Sequence, residues 1–255
     1  MHDPDLETLI AALLASPRMQ ALWLVKDRGM PVFAHTVDVV MLCLDRIAGS
    51  QHPSPPLDIR VVALGSLLHD LSKASARESG LQSHSHIMSH YPELAAAEAR
   101  LVLNDALERT RRNLSKQQVE GIVHVVVSHH GPWGRVRPQT PEARLVHSCD
   151  LYSAMNHRLA PIDANDILPH LDLGRRWSTT SALLGVGTAV LRQRINDACQ
   201  AEAVEDWKEL LRVWRRQGCV RVGNADRVRQ LERVRFALRS AREAPDSILR
   251  VLASM

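Results

Sequence analysis

The sequence predicts an all-α fold. Apolar residues recur mainly at spacings of three and four, strict alternation over four or more positions is scarce, and helix caps and breakers punctuate the chain at helix-length intervals. Apolar residues make up 45% and charged residues 24% of the 255 positions, ordinary globular proportions that exclude disordered, collagen-like and low-complexity classes. A chain of this length buries roughly three quarters of the surface its unfolded form exposes, so a sizeable core needs no staples.

Leu6, Leu9, Ile10, Leu13 and Leu14 form one helical stripe that ends before Ser16-Pro17, and a second helix runs from there to Gly29. Ala34 to Ile47 makes a third, followed by a polar, proline-rich loop over 49–56. Asp58 is placed to N-cap a helix reaching about His69, and Pro92 suits the first turn of one reaching about Arg111. Ser115-Lys-Gln-Gln118 has the capping-box form, and its helix stops at Gly131-Pro132. Thr140-Pro-Glu142 opens another that extends to about Arg158, and three or four more follow from Ser178. Pro161, Pro169 and Gly174 cluster between these last two groups. The expected organisation is therefore amino-terminal helices over 1–30 packing on a core over 31–160, then an accessory arginine-rich helical region over 161–255.

Residues 1–200 carry 20 basic and 20 acidic side chains and residues 201–255 carry 12 and 8, so the formal charge of +4 lies entirely in the last 55 residues. Thirteen histidines stand against four lysines, Lys26, Lys73, Lys116 and Lys208. Cys43, Cys149, Cys199 and Cys219 are scattered without C-x-x-C spacing, which argues against a disulfide framework or a thiolate zinc site and fits a reducing compartment. The Met-His-Asp-Pro-Asp start has no positive leader region, and no apolar run approaches the roughly 18 residues that span a bilayer. A soluble cytoplasmic protein without a membrane partner is expected.

Each core helix sets a histidine or aspartate on its apolar stripe or at the end nearest it. His35 shares a face with Val39, Leu42 and Cys43, and His69-Asp70 closes the helix containing Val62, Leu64 and Leu68. His90 immediately precedes the Pro92 helix, His129-His130 ends the stripe of Val119, Ile122, Val123, Val126 and Val127, and Asp150 follows Val146 by four. A single histidine on an apolar face is ordinarily a core or rim side chain. Buried carboxylates are rarer, because desolvating an unpaired charge costs on the order of several kcal/mol. Seven such groups on the inward sides of successive helices call for a shared counter-charge, which divalent metal supplies. Imidazole and carboxylate donors without thiolate suit iron, manganese, zinc, nickel or cobalt and leave the choice among them open. Seven ligands exceed one tetrahedral ion and fit two octahedral ions roughly 3.5–4 Å apart, bridged by an aspartate.

The order His35, His69-Asp70, His90, His129-His130, Asp150 resembles the H…HD…H…HH…D signature of the HD superfamily of metal-dependent phosphohydrolases in its two-metal version, over roughly residues 30–160. Phe33-Ala-His-Thr36, His69-Asp-Leu-Ser-Lys73 and Ser128-His-His-Gly131 carry the likeness locally, and the stretch from Arg137 to Asp150 is similar to the last motif of the bacterial HD-type 3′-to-5′ exoribonucleases. The resemblance implies an HD-domain helical bundle with His35, His69, Asp70 and Asp150 at one metal, and His90, His129, His130 and a bridging Asp70 at the other. Ser83 to His90 offers His84, His86 and His90 for one position; His90 is chosen because it directly precedes the Pro92 helix, as the family pattern requires. The resemblance also implies that Asp70 and Lys73 serve catalysis, with Lys73, Arg135 and Arg137 contacting substrate phosphate. Taken by themselves, Lys73 reads as a helix-end lysine favoured by the macrodipole and the two arginines as solvated loop residues. His147 and His157 share the helical face of Asp150 and read as surface or supporting groups.

The activity implied is that of a two-metal phosphodiesterase or nuclease acting on a nucleic-acid end or a small phosphodiester. A nucleotide phosphomonoesterase with the same metals, and a noncatalytic interaction protein stabilised by metal, stay open beside it. No Gly-Tyr-Pro tripeptide occurs, which sets the chain apart from the cyclic-dinucleotide branch. Arg212, Arg215, Arg216, Arg221, Arg227, Arg229, Arg233, Arg235, Arg239 and Arg242 could neutralise the phosphates of a nucleic-acid partner, although the interleaved acids favour a solvated, salt-bridged face. Trp207 and Trp214, seven apart on one helical face, are expected to pack rather than to stack bases.

Overall fold

The computed structural model describes residues 3–27, 30–50, 56–79, 83–157, 162–218 and 225–254, except for the side chains of 77–79 and 225–230. Gly29, loop residues 51–55, Arg158, Pro161, Cys219 and Arg221 lie outside the described residues, as do the side chains of Arg227 and Arg229. The described chain is helical apart from one two-residue antiparallel pair, and falls into two compact units, Met1–Arg158 with Phe236–Met255, and Leu159–Arg235.

The first unit opens with α1 (Pro4–Leu14), whose predicted stripe is fully buried and whose N-cap, Asp3, accepts from Leu6 N–H and pairs with Arg60 at 2.7 Å. The second predicted helix stops early: α2 covers only Pro17–Ala21, and the chain turns into β1 (Lys26–Asp27), paired with β2 (Met30–Pro31). The next helix, α3 (Val32–Ala48), has no side-chain cap, and its first N–H groups bond instead to Val25 O at 2.9 Å and Leu22 O at 3.3 Å. Those carbonyls are engaged outside a helix, which is why α2 cannot extend through them. Every residue from Val32 to Val40 is buried, so α3 is a central helix of this unit.

Asp58 caps α4 (Ile59–Leu68) as predicted, accepting from Arg60 and Val61 N–H. Two short helices that the sequence reading missed follow, α5 (Ser72–Ser79) and α6 (His84–His90). Then come α7 (Pro92–Thr110), ended by Arg111 in a left-handed conformation, and α8 (Lys116–Ser128), with both halves of the Ser115/Gln118 capping box formed. A 3₁₀ turn over Gly131–Trp133 leads to α9 (Pro141–Asn156), N-capped by Thr140.

The second unit contains α10 (Ala164–Asp172), opened by an Asp163/Asp166 capping box within the stretch expected to be a boundary, then α11 (Trp177–Leu184), α12 (Thr188–Ala201) and α13 (Trp207–Arg216). Its core is small and includes Ile167, Leu168, Leu171, Leu191, Ile195 and Leu210, with Trp207 and Trp214 packed on it. Following α14 (Ala225–Arg242), α15 (Asp246–Ser254) belongs to the first unit and packs against α3. The accessory region expected over 161–255 is thus divided: Ala237, Ala241, Ile248 and Leu252 are buried in the main core because that stretch carries the apolar spacing to join it. Arg212, Arg215, Arg216, Arg235, Arg239 and Arg242 are exposed and Arg233 is half-buried, with Arg215 paired to Asp172. No described helix is long and apolar enough to cross a membrane.

Candidate metal centre

The site is built where α4 and α8 end. A Cβ on Gly65 would lie 2.8 Å from Val125 Cβ, and one on Gly121 would lie 3.1 Å from Val61 Cγ1, so the two helices run parallel in close approach through paired glycines. One turn beyond the Gly65–Val125 contact on each helix stands a histidine, His69 and His129, with ring centroids 5.0 Å apart. Both occupy the C-cap, and each donates Nδ1–H to the carbonyl three residues back, Ser66 O at 2.6 Å and Val126 O at 2.7 Å. A carbonyl only accepts, so Nδ1 is the donor in both bonds and Nε2 of each ring is turned inward. The negative ends of two helix dipoles converge at the same point, a setting that favours cations.

His35 arrives from α3 by a different device. Its Nδ1 lies 3.0 Å from Ser153 Oγ, and Ser153 donates its hydroxyl to Asp38 Oδ2 at 2.6 Å, so His35 donates Nδ1–H to Ser153 and turns Nε2 toward the carboxylates. That Nε2 stands 3.0 Å from Asp150 Oδ1 and 3.6 Å from Asp70 Oδ2. A lone pair facing two carboxylates is repulsive unless a cation lies between them or the ring is protonated. His69 Nε2, fully buried, has no hydrogen-bond partner at all. An orphaned, buried imidazole nitrogen beside the Asp70 and Asp150 carboxylates fits a divalent metal.

Asp70, 1% exposed, occupies the centre. Its Oδ1 lies 3.2 Å from His84 Nε2 and 3.7 Å from His129 Nε2, while its Oδ2 lies 3.6 Å from His35 Nε2, 3.5 Å from His69 Nε2 and 2.7 Å from Lys73 Nζ. Two groups of closely set ligand atoms result, His35/His69/Asp70 and His84/His129/His130, each able to hold an ion. Burial resists ionisation of Asp70, but the charges of Lys73 and His69 outweigh it and hold its pKa well below the usual carboxylate range. Burial also resists ionisation of Asp150, and the His35 bond with the neighbouring imidazoles likewise overrides it and lowers its pKa. Burial pushes His84 down to about 4 and His130 to about 3, so both rings are neutral, and able to ligate, at neutral pH. For His69, burial lowers and the Asp70 charge raises, with a net rise.

Six of the seven predicted ligands come together, and His90 does not. It is exposed at the end of α6, its ring stacked on His86 with centroids 4.4 Å apart. His84 stands in its place, 7% exposed, with Nδ1 2.9 Å from Ser72 Oγ. The reason is rotation: α6 buries His84, Ile87 and Met88, and six residues on from His84 at about 100° each, His90 points roughly 120° away. Adjacency to Pro92 says nothing of that phase; the burial pattern of Ile87 and Met88 was the available signal.

Lys73 sits in the first turn of α5, where the helix dipole disfavours a cation, so its position rests on Asp70 and on Asp27, 3.7 Å away. Arg135 and Arg137 are both exposed, and neither lines the site; Arg135 instead donates to His90 O at 3.2 Å. Two supporting residues were missed, Asp38 and Ser153, each three residues beyond a ligand on its helix; His157 Nδ1 also donates to Asp38 at 2.8 Å. His147 donates Nδ1–H to His129 O at 2.6 Å and lies where a side chain on Gly131 would project; with φ at +55°, that position admits only glycine.

Asp70, His84, His129, His130 and Asp150 line a cleft of about 590 Å³ whose wall also includes Lys73, Asp27, His147 and Trp133. Imidazole nitrogens that converge on a central carboxylate in a helical core are the donor set of a divalent-metal site. The HD domain family model matches residues 32–155, spanning α3 through most of α9. Residues 32–155, just under half of the chain, therefore form an HD domain, the domain of the HD superfamily of metal-dependent phosphohydrolases. No curated protein and no solved structure matched the chain.

Proposed function

We propose that the protein is a two-metal phosphodiesterase acting on a nucleic-acid end or a small phosphodiester. The carrying observation is Asp70, whose Oδ1 faces His84 and His129 and whose Oδ2 faces His35 and His69, one oxygen to each ligand group. In this reading His35, His69, Asp70 and Asp150 hold one ion, and His84, His129, His130 and Asp70 hold the other. Two such ions supply Lewis acidity toward a phosphoryl oxygen and a nucleophile from water near neutral pH.

The chain's own residues orient and compensate charge. Lys73, held by Asp70, offers its ammonium to a non-bridging phosphate oxygen. It is the only cationic lysine or arginine on the cleft wall among the described residues, which suits a diester with one negative charge better than a monoester approaching two. His69, His129 and His35 spend their Nδ1–H groups on outward acceptors and so turn Nε2 toward the site, and buried Asp70, its pKa held low, stays ionised at neutral pH.

The test joins elemental analysis to hydrolysis of bis- and mono-p-nitrophenyl phosphate with manganese, nickel, iron or cobalt. Close to two ions per chain, severe loss in Asp70→Ala, and turnover of the diester are expected. Hydrolysis of the monoester alone would make the protein a phosphomonoesterase. No activity with any of the four metals would leave a metal-stabilised interaction protein.

A further inference from the structure

The cleft wall holds one side chain that folding does not explain. Trp133 is 66% exposed, whereas Trp23, Trp177, Trp207 and Trp214 are all half-buried, Trp23 stacked on Phe33 and Trp214 bonded to Glu202. An indole left in water forgoes a large burial gain, so its place on a wall shared with Asp70, Lys73 and His130 calls for a ligand-side reason. The turn that carries it is fixed. Trp133 N–H bonds to His130 O and Gly134 N–H to Gly131 O, both at 3.2 Å, and Arg135 N–H bonds to Met88 O at 3.1 Å. The neighbouring ring, His147, has its centroid 6.5 Å away at an interplanar angle of 52°, which leaves the indole unstacked. Leu151 and Ala154 add apolar surface to the same cleft.

We propose that Trp133 is a stacking platform for an unpaired nucleobase, so that the site accepts a nucleotide unit, with its phosphate at Asp70 and Lys73, in preference to a base-free phosphate ester. The proposal rests on the phosphohydrolase reading for where the phosphate lies, and on the exposed indole for the base. A cleft of about 590 Å³ lies within the range of roughly 300–1,000 Å³ that holds small ligands. Stacking tolerates any base, because each has a π-face. Trp133 is therefore a specificity-determining residue for base against no base.

The test is binding to chelator-treated protein, where no hydrolysis intervenes, followed by intrinsic fluorescence and calorimetry. The probes are adenosine 5′-monophosphate, a single-stranded tetraadenylate and ribose 5-phosphate. The two adenine probes should bind more tightly than ribose 5-phosphate and quench tryptophan emission. In Trp133→Ala their affinity should fall about 5- to 100-fold while ribose 5-phosphate is unchanged, and Trp133→Phe should retain most of it. A tighter tetraadenylate would assign the platform to strand ends, and equal affinities to free nucleotides. Equal binding of all three probes, absence of adenine binding, or an equal loss for all three in Trp133→Ala would overturn the proposal. Metal-dependent ester hydrolysis, measured separately, reports on the phosphohydrolase reading, so either idea can fail without the other.

Discussion

Replacing Ser153 with alanine should weaken metal binding far more than its distance from any metal suggests. Its hydroxyl accepts from His35 Nδ1–H at 3.0 Å and donates to Asp38 Oδ2 at 2.6 Å, all three groups being buried. Alanine leaves the imidazole N–H unpaired and takes one of its donors from Asp38 Oδ2, which keeps the bond from His157. One neutral and one charge-assisted hydrogen bond are lost, about 2–4 kcal/mol in stability. The effect specific to the site is loss of tautomer control: His35 becomes free to present N–H inward, toward Asp150, where it cannot bind metal. Groups that orient a ligating imidazole change metal affinity by about 10- to 100-fold, or about 1.4–2.7 kcal/mol. Competition against a chromogenic chelator at pH 7 measures it, with Asp38→Asn as a milder companion that keeps the Ser153 hydroxyl but removes the charge behind it. A folded Ser153→Ala protein whose metal affinity stays within about twofold of the parent would refute the relay, whatever its melting temperature.

The remaining predictions concern the ligand set, the helix contact and acid stability. His84→Ala should lower the metal content of the purified protein by about one ion, and His90→Ala should leave it unchanged; elemental analysis giving the reverse would restore the sequence-based assignment. Gly65→Ala puts a methyl 2.8 Å from Val125 Cβ, and the forced separation of α4 and α8 should cost about 1–3 kcal/mol in denaturant unfolding and weaken metal binding with it. His84 and His130, lowered by burial to about 4 and about 3, stay neutral in the folded protein, whereas the unfolded chain takes up protons below about pH 6.5. Stability of the metal-free protein is therefore full above that pH and falls as pH drops. Each ring contributes a loss of about 2 kcal/mol by pH 5, partly offset by His69, whose raised pKa acts in the opposite sense. Unchanged urea midpoints at pH 7 and pH 5 would contradict it.

Sequence alone determined the elements whose signals are local. The Asp58, Ser115 and Thr140 caps bind nearby N–H groups, so they read correctly without any partner, as did the buried stripe of α1. It also indicated which side chains would converge, because six of the seven chosen residues sit at helix ends or on apolar stripes whose inward direction follows from the 3.6-residue period. Tertiary structure decided whatever depends on phase or on remote neighbours. The short helix α6 has too few apolar residues to fix its rotation from sequence, so packing selected His84 over His90. Two carbonyls borrowed from residues 22–25 by α3 ended α2 early, and α15 returned to a core that linear composition had assigned elsewhere. The hydrogen bonds from Ser153 to Asp38 and from His147 to His129 O span 115 and 18 residues. No spacing rule reaches across such separations, because those contacts exist only once α3, α8 and α9 have packed.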